Sequence, residues 1–369
     1  MVALFTDDSP APQSARRRRP SIGWTALLIA LVAGVVLGIM PAPYVIEKPG
    51  PVYNTLGSAT DENDVETALI TIPDETVYPT KGTLDLLTVS LLGNRENRPS
   101  WLSVAGAWLD PSEAVLPIDQ VFPANVSAEQ RDARASADMI NSQQDAIAAG
   151  LTHLGYEYPT TVSVVSLPNG SPAAGVIEPE DQIFAVNGTP VANVAELRAA
   201  LQANGAKTAA SLDIVRGGAA QTVEVTPIDN EGTIVAGVNV SVAYDFPIEV
   251  QIQLDKVGGP SAGLMFALGI IDKLTPGELQ GGENVAGTGT IDQSGAVGPI
   301  GGIQQKLYGA VENDATWFLA PVDNCDEVTG NIPDGLTVFS VATLDEALTA
   351  LDAIKTGADT SDLPSCPVA

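Results

Sequence analysis

The sequence predicts an α+β chain: one apolar helix near its N-terminus, a β-rich middle domain and a C-terminal domain of mixed α/β content. Three observations carry this. An uncharged apolar stretch over 22–40 follows Arg16, Arg17, Arg18 and Arg19. Residues 155–228 alternate short strand-like runs with turn residues. Two glycine-rich turns, Gly258-Gly259-Pro260-Ser261-Ala262-Gly263 and Pro299-Ile300-Gly301-Gly302, each open onto a run with helical character. A length of 369 residues leaves room for two or three domains. The expected order is a basic tail over 1–21, an apolar helix over 22–40, an α/β region over 41–154, the β-rich domain over 155–228, the mixed domain over 229–355 and a tail over 356–369.

The apolar stretch has about the 20 residues needed to cross a bilayer. A secretory signal has a shorter apolar core and a small-residue cleavage site, which Met40-Pro41-Ala42-Pro43 matches poorly. The expectation is a retained single-pass anchor in the cell membrane rather than a cleaved signal or a buried helix. The arginine cluster keeps the N-terminus cytoplasmic and puts the bulk of the chain outside. The formal net charge is −28, and the outward part holds 43 acidic against 13 basic residues. Such a surface repels nucleic acid and anionic lipid, and a solubilising role is enough to explain it.

The region over 41–154 mixes extended patterns, 68–72 and 84–89, with the turn Pro49-Gly50-Pro51. It then reaches Ser127-Ala128-Glu129-Gln130, a capping-box start for a helix toward Gly150. Trp101 and Trp108 read as packing residues rather than a binding platform. In the middle domain, strands are expected near 162–165, 181–188, 211–215 and 222–226, with a helix from Val194 to about Leu201.

The first glycine-rich turn presents Ser261 ahead of an apolar helix, and the second puts Lys306 in the first turn of another. Alone, such a serine is usually a helix cap and such a lysine a solvated face; the pairing points to a Ser-Lys hydrolase. Gly259-Pro260-Ser261-Ala262-Gly263 formally fits a nucleophile elbow. That arrangement needs a histidine after the serine, and the single histidine, His153, precedes it and reads as a helix-end residue. A zinc site built on paired histidines is excluded as well. Lysine serves as base only if its pKa falls by about three units, which burial and a helix N-terminus both favour. The backbone around Gly259, Pro260 and Ala262 is the expected oxyanion site. Cys325 and Cys366 lie in the outward part, where an oxidising exterior permits pairing; two free thiols are the alternative.

From about Val250 to Ala347 the chain resembles the Lon-type (S16) serine protease domain, through Pro260-Ser261-Ala262-Gly263 and through Pro299-Ile300-Gly301-Gly302 leading to Lys306. The resemblance implies Ser261 as nucleophile and Lys306 as base. It also implies Thr288, in the hairpin Gly287-Thr288-Gly289-Thr290-Ile291, as the group orienting the lysine. Many ATP-dependent members carry an acidic residue just before the serine where this chain has Gly258, so the site relies on two residues or draws on Asp255. No Walker A signature occurs, so the expected peptidase is ATP-independent, needs no cofactor or metal, and cuts unstructured or exposed segments. Residues 155–228 resemble a bacterial PDZ domain through the Ser171-Pro172-Ala173-Ala174-Gly175 turn and the strand Asp181-Gln182-Ile183-Phe184-Ala185-Val186-Asn187-Gly188, a small β-rich spacer being the plainer reading. PDZ domains take extended peptides, often C-termini, onto a sheet edge. The resemblance points the carboxylate loop loosely to 154–158, hence Leu154, Gly155 and Tyr156. The whole order resembles a membrane-anchored bacterial PDZ and S16 peptidase family, acting on extracytoplasmic proteins or peptides, with homo-oligomerisation left open. The rivals are a membrane-tethered PDZ adaptor with a non-catalytic, protease-like scaffold domain, and self-processing at the membrane junction.

Overall fold

The computed structural model describes residues 22–60, 66–230, 232–254 and 257–367. The chain divides into two units, 1–46 with 91–123, and 47–90 with 124–369. The arginine cluster and Asp255 lie outside the described residues.

In the first unit, helix Ile22–Ile39 has no buried residue and the composition of a membrane span. After it come the opening residues of strand Tyr44–Asn54, helix Trp101–Ala107, strand Ala114–Pro117 and the short helix Ile118–Val121. A small core of Ala42, Ile46, Val104 and Ala107 holds them, with Tyr44, Trp101 and Val115 against it. Trp101 meets Tyr44 edge-on, centroids 5.8 Å apart.

The second unit contains two sheets. In the first, strands Thr337–Val341, Trp317–Pro321, Asn284–Gly287 and Thr83–Leu92 lie side by side, every pair parallel, with Tyr44–Asn54 next. Parallel strands are covered on both faces, and the alternation of side chains shows it. Leu84, Leu86, Val285, Leu319 and Phe339 pack with helices Ala128–His153, Gly263–Leu274 and Leu344–Thr356. Leu87, Ala286, Phe318, Ala320 and Val338 pack with helix Ile303–Glu312 on the opposite face.

The second sheet orders its strands Ala219–Val225, Ala210–Arg216, Gln182–Val186, Thr160–Ser166 and Asn239–Tyr244, with helix Val194–Asn204 packed on it. Its outer strand, 239–244, pairs antiparallel with 160–166 and falls beyond 228, in the stretch expected to belong to the next domain. Helix Ala128–His153 starts with a full capping box on Ser127 and Gln130. It buries Met139, Ala146, Ile147 and Leu151 in the first sheet's core. Structurally, then, the mixed domain is assembled from two stretches of chain, and the β-rich module is inserted between them.

Candidate active site

Ser261 sits in the turn before helix Gly263–Leu274, on one face of the parallel sheet, and Lys306 closes the first turn of helix Ile303–Glu312 on the other. Thr288 directly follows strand Asn284–Gly287, so the three residues meet at the carboxyl end of a parallel strand, where open α/β sheets place their ligands. Lys306 Nζ donates to Ser261 Oγ and to Thr288 Oγ1, both at 2.9 Å. Thr288 Oγ1 donates in turn to the Ser261 carbonyl at 3.0 Å, and the Gly289 N–H reaches the same oxygen at 3.0 Å. The threonine thus fixes both the ammonium and the backbone of the serine.

Lys306 is 2% exposed and Thr288 1%, whereas Ser261 is half-buried. Burial disfavours the charged ammonium and brings the Lys306 pKa down to about 8, against the opposing pull of Glu47. Glu47 was missed in the sequence. It lies on strand Tyr44–Asn54, its own pKa raised by burial and held back by Lys306. It packs at Gly302, the N-cap of the lysine helix, where φ is +69° and an added Cβ would meet Glu47 Oε1 at 2.9 Å and Val89 Cγ1 at 2.7 Å. Only glycine fits that corner.

Of the backbone groups expected to face an oxyanion, two have no N–H to spare. Pro260 has no N–H to offer, and the Gly259 N–H is taken by the Ala135 carbonyl at 2.9 Å. Among the described residues, the N–H groups of Ser261 and Ala262 have no acceptor, and they remain as donors. Helix Ala128–His153 holds this loop a second time, Ser142 Oγ donating to the Pro260 carbonyl at 2.9 Å. The helix also explains why no acidic residue precedes the serine: a Cβ at Gly258 would lie 2.7 Å from Ala135 Cβ.

Other expected residues fall elsewhere. His153 ends its helix with Nδ1 3.3 Å from Asp345. Cys325 and Cys366 are joined by a disulfide, the latter buried beneath the lysine helix face of the sheet. No cluster of metal ligands occurs among the described residues. Leu154 and Tyr156 pack on the parallel-sheet core, and Gly155 makes the turn between them. A groove of about 430 Å³ lies instead between helix Val194–Asn204 and residues 234–240, lined by Leu197, Arg198, Leu201, Ile234, Val238 and Val240. Ser171 of the turn quoted above anchors it by donating to the Gly237 carbonyl at 2.6 Å.

Residues 253–353 match the Lon protease (S16) C-terminal proteolytic domain, and residues 134–226 match the PDZ domain. The chain carries an S16 proteolytic domain joined to a PDZ domain. Over 108 residues the chain is 37% identical to Lon protease 2 of Herpetosiphon aurantiacus, covering 27% of this chain and 13% of that protein. It is 34% identical over 108 residues to Lon protease 1 of Bacillus subtilis, covering 28% and 14%. The chain therefore spans about one seventh of these relatives' length. Among solved structures, the PDZ domain of the SdrC-like protein from Listeria monocytogenes is 20% identical, covers 21% of this chain and 85% of that one, and has a TM-score of 0.20.

Proposed function

We propose that this protein is a membrane-anchored, ATP-independent serine endopeptidase in which Ser261 attacks and Lys306 is the general base. The observation that carries the reading is the 2.9 Å bond between a buried lysine amine and the serine hydroxyl. With Lys306 neutral, its Nζ takes the Ser261 proton as Oγ bonds to the substrate carbonyl carbon. The carbonyl oxygen becomes an oxyanion facing the Ser261 and Ala262 N–H groups at the helix start, donors worth several kcal/mol in acyl transfer. The resulting ammonium protonates the leaving amine, and the C–N bond breaks to leave an acyl-serine. Lys306 then deprotonates the water that hydrolyses this ester and returns the proton to Ser261 Oγ. Thr288 keeps the amine aimed at the serine throughout.

The PDZ groove serves substrate selection in this proposal. Residues 236–238 offer N–H groups without acceptors among the described residues, suited to a peptide carboxylate, and strand Asn239–Tyr244 ends the sheet, its outer edge available for an added strand. The apolar helix anchors the chain, with the catalytic part extracytoplasmic. The test is cleavage of unstructured peptides by the full chain. Ser261→Ala and Lys306→Ala are each expected to abolish it to about the same extent, because members of a catalytic unit are not additive. A wild-type chain that binds C-terminal peptides yet cuts none would establish the adaptor reading instead.

A further inference from the structure

The first unit exposes an apolar surface that its own core does not explain. Residues 100–109, from Ser100 through Leu109, contain no charged side chain, although 17% of the whole chain is charged. Helix Trp101–Ala107 turns Val104 and Ala107 into the unit's core. Its other face and the step after it leave Leu102 61%, Trp108 60% and Leu109 87% exposed. An exposed apolar cluster on a strongly acidic chain needs a partner.

The position of the helix identifies that partner. The Trp101 N–H donates to the carbonyl of Met40, the residue that follows the apolar helix, at 3.2 Å. The Ala42 N–H donates to the Pro99 carbonyl at 2.8 Å, and Pro41 bridges Ser100. A seven-residue helix is about 10 Å long. If the apolar helix spans the bilayer, Trp108 and Leu109 cannot stand farther than about that distance from where it leaves the hydrocarbon, within or next to the headgroup layer. Tryptophan is enriched at that depth, its ring apolar and its N–H wet.

We propose that the helix Trp101–Ala107, with Trp108 and Leu109, is a membrane-interface foot that lies on the outer leaflet beside the exit of the N-terminal anchor. Its attachment is apolar rather than electrostatic, since the segment carries no cation to pair with anionic headgroups. It therefore works on a zwitterionic bilayer and at high salt. A single helix leaves the unit attached to it free to swivel; a second contact restricts the tilt of that unit at the membrane.

The inference rests on the membrane span proposed above, and the experiment separates the two. The full chain is reconstituted in phosphatidylcholine vesicles whose acyl chains carry bromine either near the headgroup or near the chain end. Two variants keep a single tryptophan, Trp24 or Trp108, the others becoming phenylalanine so that Trp101→Phe preserves a ring against Tyr44. Trp108 emission is expected to be quenched at least about twofold more strongly by the shallow bromines than by the deep ones, in low and high salt alike. Leu109→Asp should reduce that quenching while leaving Trp24 quenched. In the unmodified chain, a photoactivatable phosphatidylcholine should label the peptide holding Leu102 to Leu109. A quenched Trp24 with an unquenched Trp108 and no label on that peptide would overturn the foot alone, and so would concentration-dependent self-association that buries Trp108 without lipid. An unquenched Trp24 would overturn the span and remove the bilayer as the partner.

Discussion

The pH dependence of peptide cleavage puts the lysine reading under the most direct strain. Lys306 is a base only in its neutral form, and burial sets its pKa at about 8. At pH 7 about one enzyme in eleven then has the neutral amine, and at pH 9 about ten in eleven do, so kcat/KM should rise about tenfold over those two units with its midpoint near 8. An internally quenched, unstructured peptide, followed at substrate concentrations well below KM and constant ionic strength, gives kcat/KM directly and reports the free enzyme. Glu47 supplies the control. Its carboxylate favours the ammonium, so Glu47→Gln should move the limb to lower pH and raise the relative rate at pH 7. Lys306→Arg should be inactive at every pH, because a guanidinium does not deprotonate in this range. A profile flat from pH 6 to 9, or a loss of activity in His153→Ala as large as in Ser261→Ala, would refute the assignment.

Three further outcomes follow from contacts at the site and elsewhere in the chain. Ser142→Ala removes the donor to the Pro260 carbonyl; a loss of about 1 kcal/mol in holding that loop should cost about fivefold in kcat/KM for peptide, measured at saturating base deprotonation. In the PDZ module, Arg216 grips the buried Asp181 through Nε at 2.7 Å and Nη2 at 2.6 Å, and holds its carboxyl below the usual aspartate range. Arg216→Ala should therefore lower the urea midpoint at pH 7, the deficit persisting above the unfolded aspartate pKa and shrinking as pH falls through the lowered folded value, where wild-type Asp181 takes up its proton. Cys366→Ser opens a loop closed across 41 residues and should lower unfolding free energy by about 3–4 kcal/mol, read from urea midpoints of unreduced protein.

The serine and lysine turns were legible because their signals are local: glycines, a proline and an apolar run specify a tight turn feeding a helix. The capping box at Ser127 and the PDZ strands were legible for the same reason, each within a few residues. The extended pattern at 68–72 was read as one strand but forms two short pieces, Glu66–Ala68 and Ile70–Thr71, that pair with different partners. Glu47 gave no signal, since its meaning comes from a sheet neighbour and from Gly302, both remote in the sequence. Pro260 could have been struck from the oxyanion donors on covalent grounds alone, whereas the Gly259 N–H was lost to a helix whose docking no local pattern announces. The resemblance points the carboxylate loop to 154–158, ahead of the first strand of the module, whereas the groove beside helix Val194–Asn204 is bounded by residues 234–240. The sequence signal for that wall is Val235-Ala236-Gly237-Val238 followed by the period-two run Asn239-Val240-Ser241-Val242-Ala243-Tyr244.

Helix Ala128–His153 ties these pieces together. By sequence match, residues 134–226 are PDZ, yet the helix buries its apolar side against the serine helix and the parallel sheet. From that one rigid element, Ala135 and Ser142 hold the loop before Ser261, and Asp145 accepts a 2.8 Å bond from Tyr244, the last residue of the PDZ edge strand. Two turns separate Ala135 from Ser142, and Asp145 lies one turn farther, all along one side of the helix. Add Glu47 and the strands at 44–54 and 83–92, and much of what shapes the catalytic corner lies outside the matched residues 253–353. A polypeptide cut to that match would keep Ser261, Thr288 and Lys306 but lose the sheet edge beside the lysine helix, the charge facing its amine and the clamp on the serine loop. The inserted PDZ module is thus fastened to the same helix that holds the loop before Ser261, and residues from both stretches of the mixed domain surround the Ser261, Thr288 and Lys306 contacts.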